Sequence, residues 1–299
     1  MEIAPQVAQA LANGAPVVAL ESALVTHGLP RPANLRVARR LESAVQEEGG
    51  VPATIALLEG IAHVGLSPAQ LERLAGESAP AKVSLRDLPA VLAQGRTGGT
   101  TVAATMHLAH RAGIRVFATG GIGGVHRGHP EDISADLPAL ASIPIVVVCA
   151  GAKAILDLPR TMEKLETLGV PVVGYTTDTL PAFTSRSSGL PVSARADTPE
   201  EVAAMAQARD GLGLQAALLV CVPVPREAEW SWEEAQTQIE AAVAEAEARG
   251  IGGKDLTPFL LSWLAERTKG RSRAANEALL VNNARVAARI ARALSAAIR

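Results

Sequence analysis

The chain has 299 residues, a mass of 30.9 kDa, 48% apolar residues and 19% charged residues. A mean hydropathy of +0.20 excludes an intrinsically disordered chain, which needs low hydrophobicity and a high net charge. The formal net charge is −2, so no basic excess is present to neutralise a phosphate backbone. Aromatic residues make up only 2%, too few for a platform on which bases stack. We therefore expect no nucleic-acid partner.

The two cysteines are typical of a reducing compartment. Cys149 and Cys221 each lie inside an apolar run, as small buried side chains do, so no disulfide framework is expected. The first residues lack a basic segment followed by a long apolar stretch. The longest apolar run, about ten residues, is roughly half of a membrane span. These features predict a cytoplasmic protein with no membrane partner.

Short apolar runs alternate with helix-like segments along the chain. Each run is bounded by Gly or Pro, a pattern typical of strands covered on both faces. The predicted strands are Pro16–Leu20, Pro52–Leu57, Arg115–Ala118, Ile143–Cys149, Pro171–Gly174 and Ala216–Val222. Helices are predicted over Asn34–Glu48, from the cap signature Asp197–Glu200 to about Arg209, from the signature Ser231–Glu234 to about Arg249, and over Ala274–Ile298.

This alternation predicts an α/β fold, a three-layer α/β/α sandwich with a mixed, largely parallel central sheet. The chain shows no repeat period, no low-complexity tract and no Pro/Ser-rich linker. A single domain over residues 1–299 is therefore the simpler prediction.

Two glycine-rich segments are candidate ligand sites. Thr119–Gly128 (TGGIGGVHRG) holds five glycines directly after a predicted strand, where open α/β sheets bind ligands; the alternative is a tight structural turn. It does not match G-x-G-x-x-G, because His126 stands where the third glycine would fall. Thr97–Thr105 precedes a predicted helix and indicates equally a phosphate-binding helix start or ordinary capping by Thr100 or Thr101.

Four charged side chains are further candidates. Lys153 lies just past a predicted buried strand, where burial would lower its pKa and make a nucleophilic amine; a surface lysine is the alternative. Glu21 follows Leu20 and is a candidate general acid with a raised pKa, or a loop carboxylate in a salt bridge. Asp132 and Asp136 would share one helix face and suit Mg²⁺ or Mn²⁺, or be solvated acids.

Taken together, these motifs resemble one known family in order and over nearly the whole chain. The chain is similar to pseudouridine-5′-phosphate glycosidases, a group that also includes indigoidine-synthase-A-like proteins. The resemblance rests on blocks that include KVSLRDLP (Lys82–Pro89), GGTTVAATM (Gly98–Met106), VFATGGIGGVHRG (Val116–Gly128), DISADL (Asp132–Leu137), VVCAGAKAILDLP (Val147–Pro159), GKDLTPFLL (Gly253–Leu261) and AANEALLVNNA (Ala274–Ala284).

The resemblance implies reversible cleavage of the C–C glycosidic bond of pseudouridine 5′-phosphate to uracil and ribose 5-phosphate, with Mn²⁺ bound and a homotrimeric assembly. It implies that Lys153 attacks C1′ of the ribose and opens the ring as an imine, with Glu21 as proton donor. It implies that Asp132 binds the metal. The substrate-binding positions that it implies are Lys82, Val102, Ser134, Ala135, Asp136 and Asn276, the last facing the base.

Two other hypotheses keep part of this assignment. A Schiff-base lyase or aldolase acting on another sugar phosphate would retain Lys153 and the phosphate site but would have a different base pocket. A non-catalytic sugar-phosphate binding protein would retain only the phosphate site. Substrate tests distinguish the lyase or aldolase from the glycosidase, and reductive trapping at Lys153 distinguishes the binding protein from an enzyme.

Overall fold

A computed structural model describes residues 1–251 and 256–297 of the chain. Residues 253–255 of the block GKDLTPFLL and the last residue of the predicted terminal helix, Ile298, lie outside the described residues. None of the helices in the described ranges combines the length and the apolar character needed to span a bilayer.

Eleven strands of the described residues form one mixed sheet, and two more form a separate hairpin. The strands are β1 (Glu2–Ile3), β2 (Val17–Leu20), β3 (Val51–Leu58), β4 (Ile61–Val64), β5 (Ala81–Val83), β6 (Gly98–Thr100), β7 (Val116–Ala118), β8 (Val125–His126), β9 (His129–Ile133), β10 (Val146–Cys149), β11 (Val172–Tyr175), β12 (Ala194–Ala196) and β13 (Leu218–Cys221). The sheet order is β1-β4-β3-β2-β7-β10-β13-β11-β12, with β6 paired to β3 and β5 to β6. Strand β3 pairs antiparallel with β4 and β6, and the other pairs in the sheet are parallel. The hairpin is β8 and β9.

Helices cover both faces of the sheet. They are α1 (Pro5–Ala12), α2 (Ala33–Glu47), α3 (Pro68–Gly76), α4 (Leu88–Ala93), α5 (Val102–Arg111), α6 (Asp136–Ser142), α7 (Leu158–Thr167), α8 (Pro199–Gly211), α9 (Trp232–Ala248), α10 (Leu256–Arg267) and α11 (Arg271–Ala296). Helix α11 packs against α2, α8 and strands β2, β7 and β10, and α5 packs against α6, β2 and β3. The predicted α/β/α architecture with a largely parallel sheet is confirmed.

The direction of the crossovers explains these two layers. The crossover that contains α2 runs from β2 to β3, toward one edge of the sheet. The crossover that contains α6 runs from β7 to β10, toward the opposite edge. Parallel crossovers are right-handed, so two that run in opposite directions place their helices on opposite faces. The strand order therefore reverses between β2 and β7, and a crevice opens there at the carboxyl ends of the strands.

The six predicted strands are confirmed, with ends that differ by up to three residues. The prediction that both cysteines are small buried side chains is also confirmed, because Cys149 and Cys221 are fully buried free thiols and register partners on β10 and β13. One cap prediction is shifted by a residue. Thr198, and not Asp197, caps α8 by accepting the amide hydrogen of Glu201, while the Glu201 carboxylate accepts the Asp197 amide hydrogen.

Candidate active site

The crevice between β2 and β7 brings a carboxylate and a hydroxyl together. Glu21 directly follows β2, and Thr119 directly follows β7. The Thr119 hydroxyl donates a hydrogen bond to the Glu21 carboxylate. On α11, the Asn283 amide donates to the Thr119 carbonyl at 2.9 Å and so fixes the backbone that carries this hydroxyl. The arrangement holds Glu21 at the point where the strand order reverses.

Burial raises the pKa of Glu21 above its usual range. The positive charge of Lys153 and the Thr119 hydrogen bond oppose this shift, the nearby charge of Asp136 adds to it, and the charge of Lys82 also lowers the pKa. The residue is thus a carboxyl group that retains its proton to higher pH and lies within electrostatic reach of two lysines. This confirms the expected raised pKa and provides a group able to donate a proton.

Lys153 is held in a tight turn beyond β10, next to the loop that follows β7. Its amide donates to the Ile122 carbonyl at 3.1 Å, and its carbonyl accepts the Leu156 amide hydrogen at 3.0 Å. The Ile122 amide donates in turn to the Gly151 carbonyl at 3.1 Å. This backbone ladder leaves the Lys153 side chain partly exposed, on the wall of a cavity.

The cavity has a volume of about 300 Å³ and opens beside the lysine turn. Lys153 and Asn276 line it together with Thr26 and His27 from the loop after β2. Its other walls come from the loop at Phe183 and Thr184, from Trp230, from helices α9 and α10, from Ser272 and Arg273 on α11, and from the residues next to His27 and Lys153 in the chain. The predicted nucleophile and the predicted base-facing residue therefore share one cavity.

Lys82 and His126 lie close to this group. Burial lowers the pKa of His126, the charge of Asp132 raises it, and the charges of Lys153 and Lys82 lower it further. The charge of Lys82 also contributes to the lowered pKa of His27, after burial. The charges of Lys153 and Lys82 thus both act on Glu21 and His126, and two cationic side chains close together favour an anionic ligand.

The glycines after β7 serve the protein's own packing. A Cβ built at Gly123 would lie 2.1 Å from the Ser134 hydroxyl oxygen, and one at Gly124 would lie 2.4 Å from the Thr161 hydroxyl oxygen. One at Gly121 would lie 2.9 Å from the Phe183 ring. Of the five, only Gly128 has a positive φ, +72°. Close contact with neighbouring chain segments therefore requires glycine at these three positions, which favours the alternative of a tight structural turn there.

The second glycine segment also differs from its prediction. Gly98–Thr100 is strand β6, and a Cβ at Gly99 would lie 2.7 Å from the Ser22 carbonyl oxygen. Helix α5 begins at Val102, which is buried, and its cap residue Thr101 makes no capping hydrogen bond. Capping by Thr100 or Thr101 side chains is therefore wrong. A carboxylate from α6 takes that place instead.

That carboxylate is Asp136. Its Oδ1 accepts the Ala103 amide hydrogen at 3.0 Å, and its Oδ2 accepts the Gly123 amide hydrogen at 2.8 Å. The side chain is buried, so it ties the start of α5 to the loop after β7. Asp132, by contrast, lies exposed on β9, so the two acids do not share a helix face as predicted. A strand and a turn separate them.

The remaining predicted positions surround Asp136. Ser134 accepts the Asp136 amide hydrogen at 3.2 Å and is partly buried, and Ala135 is exposed at the start of α6. Sequence reasoning missed Thr119 as the hydrogen-bond partner of Glu21, and Asn283 as the residue that holds the Thr119 backbone. The signal was present, because Thr119 directly follows a predicted strand, but its pairing with Glu21 depends on which strands are neighbours.

Comparison with known proteins places these features among close relatives. The chain matches the family of indigoidine synthase A-like proteins over residues 6–293. A pseudouridine-5′-phosphate glycosidase of Paracoccus denitrificans (strain Pd 1222) is 57% identical over 297 residues, which cover 98% of each chain. One of Methylobacterium nodulans (strain LMG 21967 / CNCM I-2342 / ORS 2060) is 55% identical over 299 residues, covering 99% of this chain and 89% of the relative.

Solved structures agree with this similarity. The crystal structure of the prealnumycin C-glycosynthase AlnA, in complex with ribulose 5-phosphate, superposes with a TM-score of 0.91 at 40% identity, covering 99% of this chain and 97% of that one. An indigoidine synthase A-like protein from Thermotoga maritima superposes with a TM-score of 0.89, also at 40% identity, covering 94% of each chain. The structural similarity thus extends over nearly the full length of this chain and of each compared protein.

Proposed function

The chain belongs to the family of indigoidine synthase A-like proteins, and from that membership we propose that it is a pseudouridine-5′-phosphate glycosidase. It cleaves the C–C glycosidic bond of pseudouridine 5′-phosphate reversibly, giving uracil and ribose 5-phosphate. Relatives that are 50–57% identical over nearly the whole chain bear that name, and a solved relative is a C-glycosynthase in complex with ribulose 5-phosphate. The substrate is therefore a small phosphorylated nucleoside.

One observation carries the proposal. Lys153 on the cavity wall and the proton-retaining carboxyl of Glu21 come from the loops after β10 and β2, and Thr119, which follows β7, donates a hydrogen bond to Glu21. These strands are neighbours in the order β2-β7-β10. An amine and an acid at the carboxyl ends of adjacent parallel strands provide the two groups that this reaction needs.

Lys153 is the nucleophile in this scheme. A C-glycosidic bond has no leaving oxygen or nitrogen to protonate, so a carboxylate pair of the usual glycosidase kind does not suffice. The neutral amine attacks C1′ and the C1′–O4′ bond breaks, which opens the ring; the bonding pair leaves on O4′, which becomes a hydroxyl with the proton that the attacking nitrogen loses. The nitrogen lone pair then forms a C=N bond as the C1′–C5 electron pair leaves with uracil. Water hydrolyses the imine and releases ribose 5-phosphate and the amine.

Glu21 supplies the proton that the departing carbon of uracil takes up. Its raised pKa keeps the carboxyl protonated at higher pH than an exposed glutamate. The Thr119 hydroxyl and the positive charge of the protonated imine formed at Lys153 stabilise the carboxylate left after transfer. In the synthetic direction the same carboxylate accepts the proton from C5. One group therefore acts as acid in cleavage and as base in synthesis.

The substrate-binding positions support the same assignment. Lys82 acts electrostatically on Glu21, His27 and His126, as a cation near a sugar phosphate would. We propose that Lys82, the backbone at Val102 and the segment Ser134–Asp136 bind the ribose and its phosphate. Asn276, on the wall of the cavity that Lys153 also lines, offers an amide to the carbonyl and N–H groups of uracil.

We also propose that Asp132 holds a Mn²⁺ ion. Within the described ranges, no group of three or more His, Cys, Asp or Glu side chains suits a metal. A hard cation that keeps several waters needs only one or two carboxylates and a substrate phosphate. The exposed carboxylate of Asp132, whose charge acts on His126, fits such a hydrated ion. When bound, the ion supplies positive charge that offsets the phosphate.

Assembly and location complete the proposal. The family match over residues 6–293 supports a single domain over 1–299. We propose a homotrimer, as the resemblance implies, and a cytoplasmic location, which the two buried thiols support. Light scattering coupled to size exclusion measures the assembly, and a mass of one or two subunits would contradict the trimer.

Incubation with uracil and ribose 5-phosphate tests the activity. The proposal predicts a product with the mass of a uridine monophosphate isomer and the ultraviolet spectrum of a C-nucleoside. Reaction with aldehyde phosphates alone would favour a Schiff-base lyase on another sugar phosphate. Binding of ribose 5-phosphate without any turnover would favour a binding protein.

A further inference from the structure

Arg127, in the loop between β8 and β9, joins two parts of the candidate site. Its Nε donates to the Leu156 carbonyl at 3.1 Å, and one terminal nitrogen donates to the Ala154 carbonyl at 3.2 Å. The same nitrogen donates to the Gln236 amide oxygen on α9 at 2.8 Å. One guanidinium therefore connects the turn that carries Lys153 to a helix on the far side.

The lysine turn needs these donors. Ala154, Ile155 and Leu156 are 8%, 4% and 1% exposed, so their carbonyls have little access to water. Buried carbonyls must find partners inside the protein. Arg127 provides them for the first and third residues after Lys153, through a planar fork of donors whose geometry is fixed. The conformation of the turn, and hence the position of the Lys153 side chain, depends on that fork.

Helix α9 forms part of the cavity wall. Ala235 and Ile239, which flank Gln236 along the helix, line the cavity together with Lys153. The Gln236 amide nitrogen is buried and has no hydrogen-bond partner among the described residues. The Gln236 side chain is therefore held through its oxygen, which accepts from Arg127. The negative charges of Glu240 on α9 and of Asp157 after the turn both act on Arg127. The guanidinium is therefore fixed between cavity wall and lysine turn.

We infer that Arg127 is a positioning residue, which sets the Lys153 amine relative to the α9 wall through its bonds to Ala154, Leu156 and Gln236. The inference rests on the proposed function, in which Lys153 forms the imine. Arg127 acts through the turn and not on the substrate, so its loss slows imine formation and leaves phosphate binding unchanged.

Three variants test this role: Arg127→Lys, Gln236→Ala and Gln236→Glu, with Gln238→Ala on the same helix as the matched control. The readout is the rate of borohydride-trapped adduct at Lys153 under saturating ribose 5-phosphate, per folded molecule, together with the ribose 5-phosphate concentration at half-maximal rate. Circular dichroism and thermal unfolding measure the folded fraction.

Arg127→Lys should slow trapping about 10- to 100-fold, because a lysine ammonium cannot reach acceptors on two sides in the fork geometry. Gln236→Ala should slow trapping about 10-fold, and Gln236→Glu should restore it, since a carboxylate keeps the accepting oxygen. The half-maximal concentration should change less than about 2-fold, because the phosphate contacts remain. Gln238→Ala should match the parent.

Parental trapping rates in folded Arg127→Lys and Gln236→Ala would overturn the inference. So would a Gln236→Glu variant as slow as Gln236→Ala, since the accepting oxygen would then be irrelevant. Absence of any adduct at Lys153 in the parent protein is a different outcome, which would overturn the proposed function and this inference with it.

Discussion

Replacing Thr119 by valine removes the hydroxyl that donates to Glu21 while keeping the shape of the side chain. Thr119 is 2% exposed, so no water takes the place of the hydroxyl without rearrangement. The hydrogen bond favours the ionised carboxylate, against the larger effect of burial, which raises the pKa. Its loss therefore raises the pKa of Glu21 further.

The magnitude follows from the type of hydrogen bond. A bond to a charged group contributes about 1.5–3 kcal/mol, and one pKa unit corresponds to about 1.36 kcal/mol. Thr119→Val should therefore raise the pKa of Glu21 by about one to two units. Because Glu21 acts in cleavage as the protonated acid, the alkaline limb of kcat/KM should move to higher pH by the same amount.

Stability should change with pH in the matching sense. A carboxyl whose folded pKa is raised stabilises the fold at pH values below its unfolded pKa, and loses that contribution as the pH rises through the folded pKa. Thr119→Val should therefore cost little near pH 4 and about 1.5–3 kcal/mol above the raised pKa. Urea unfolding at several pH values measures this difference.

The assay is the pH profile of pseudouridine 5′-phosphate cleavage for the parent, Thr119→Val and Thr119→Ser. Serine keeps the hydroxyl, so its alkaline limb should lie near that of the parent. An alkaline limb that does not move in the valine variant would refute the role of this hydrogen bond. A serine variant identical to valine would refute it as well.

Three further predictions concern the carboxylates and the base. Asp136→Asn should lower the free energy of unfolding by about 1.5–3 kcal/mol, because an amide NH₂ cannot accept the second backbone hydrogen. The same substitution at the exposed Asp132 should change it by less than about 0.5 kcal/mol. Urea unfolding compares the two variants, and equal losses would contradict the role of Asp136 in binding two backbone amides. Removal of metal by a chelator should abolish turnover, and added Mn²⁺ should restore it, with a higher Mn²⁺ concentration needed by Asp132→Asn. Turnover that is unchanged by the chelator would contradict the metal site. Asn276→Ala should raise KM for uracil in synthesis without changing adduct formation from ribose 5-phosphate, and an equal effect on both would contradict its contact with the base.

The strands that sequence reasoning found share one property. β2, β3, β7, β10, β11 and β13 are apolar runs covered on both faces, so burial alone identifies them. Strand β6, Gly98–Thr100, was not predicted because its glycines match a helix start as well as a strand. They are there because other backbone lies too close for a Cβ, and such contacts are not visible in a sequence.

The site was predicted in its residue types more than in its geometry. Lys153 and Glu21 are candidates because each follows a buried apolar run, and the carboxyl ends of neighbouring parallel strands lie at the same edge of the sheet. The spacing of Asp132 and Asp136 fits a helix, yet a strand and a turn occupy it, and only the fold assigns both Asp136 oxygens to backbone amides. Thr119 and Arg127 act through partners far away along the chain, which spacing cannot show.

The central claim is that the Lys153 amine captures the anomeric carbon of a pentose phosphate. The protein is incubated with ribose 5-phosphate and sodium borohydride and then digested, and the masses of its peptides are measured by mass spectrometry. The account predicts that the reduced pentose phosphate is attached to Lys153, and that Lys153→Ala remains folded, unmodified and inactive. An unmodified Lys153 in the parent protein, or near-parental turnover in Lys153→Ala, would contradict it.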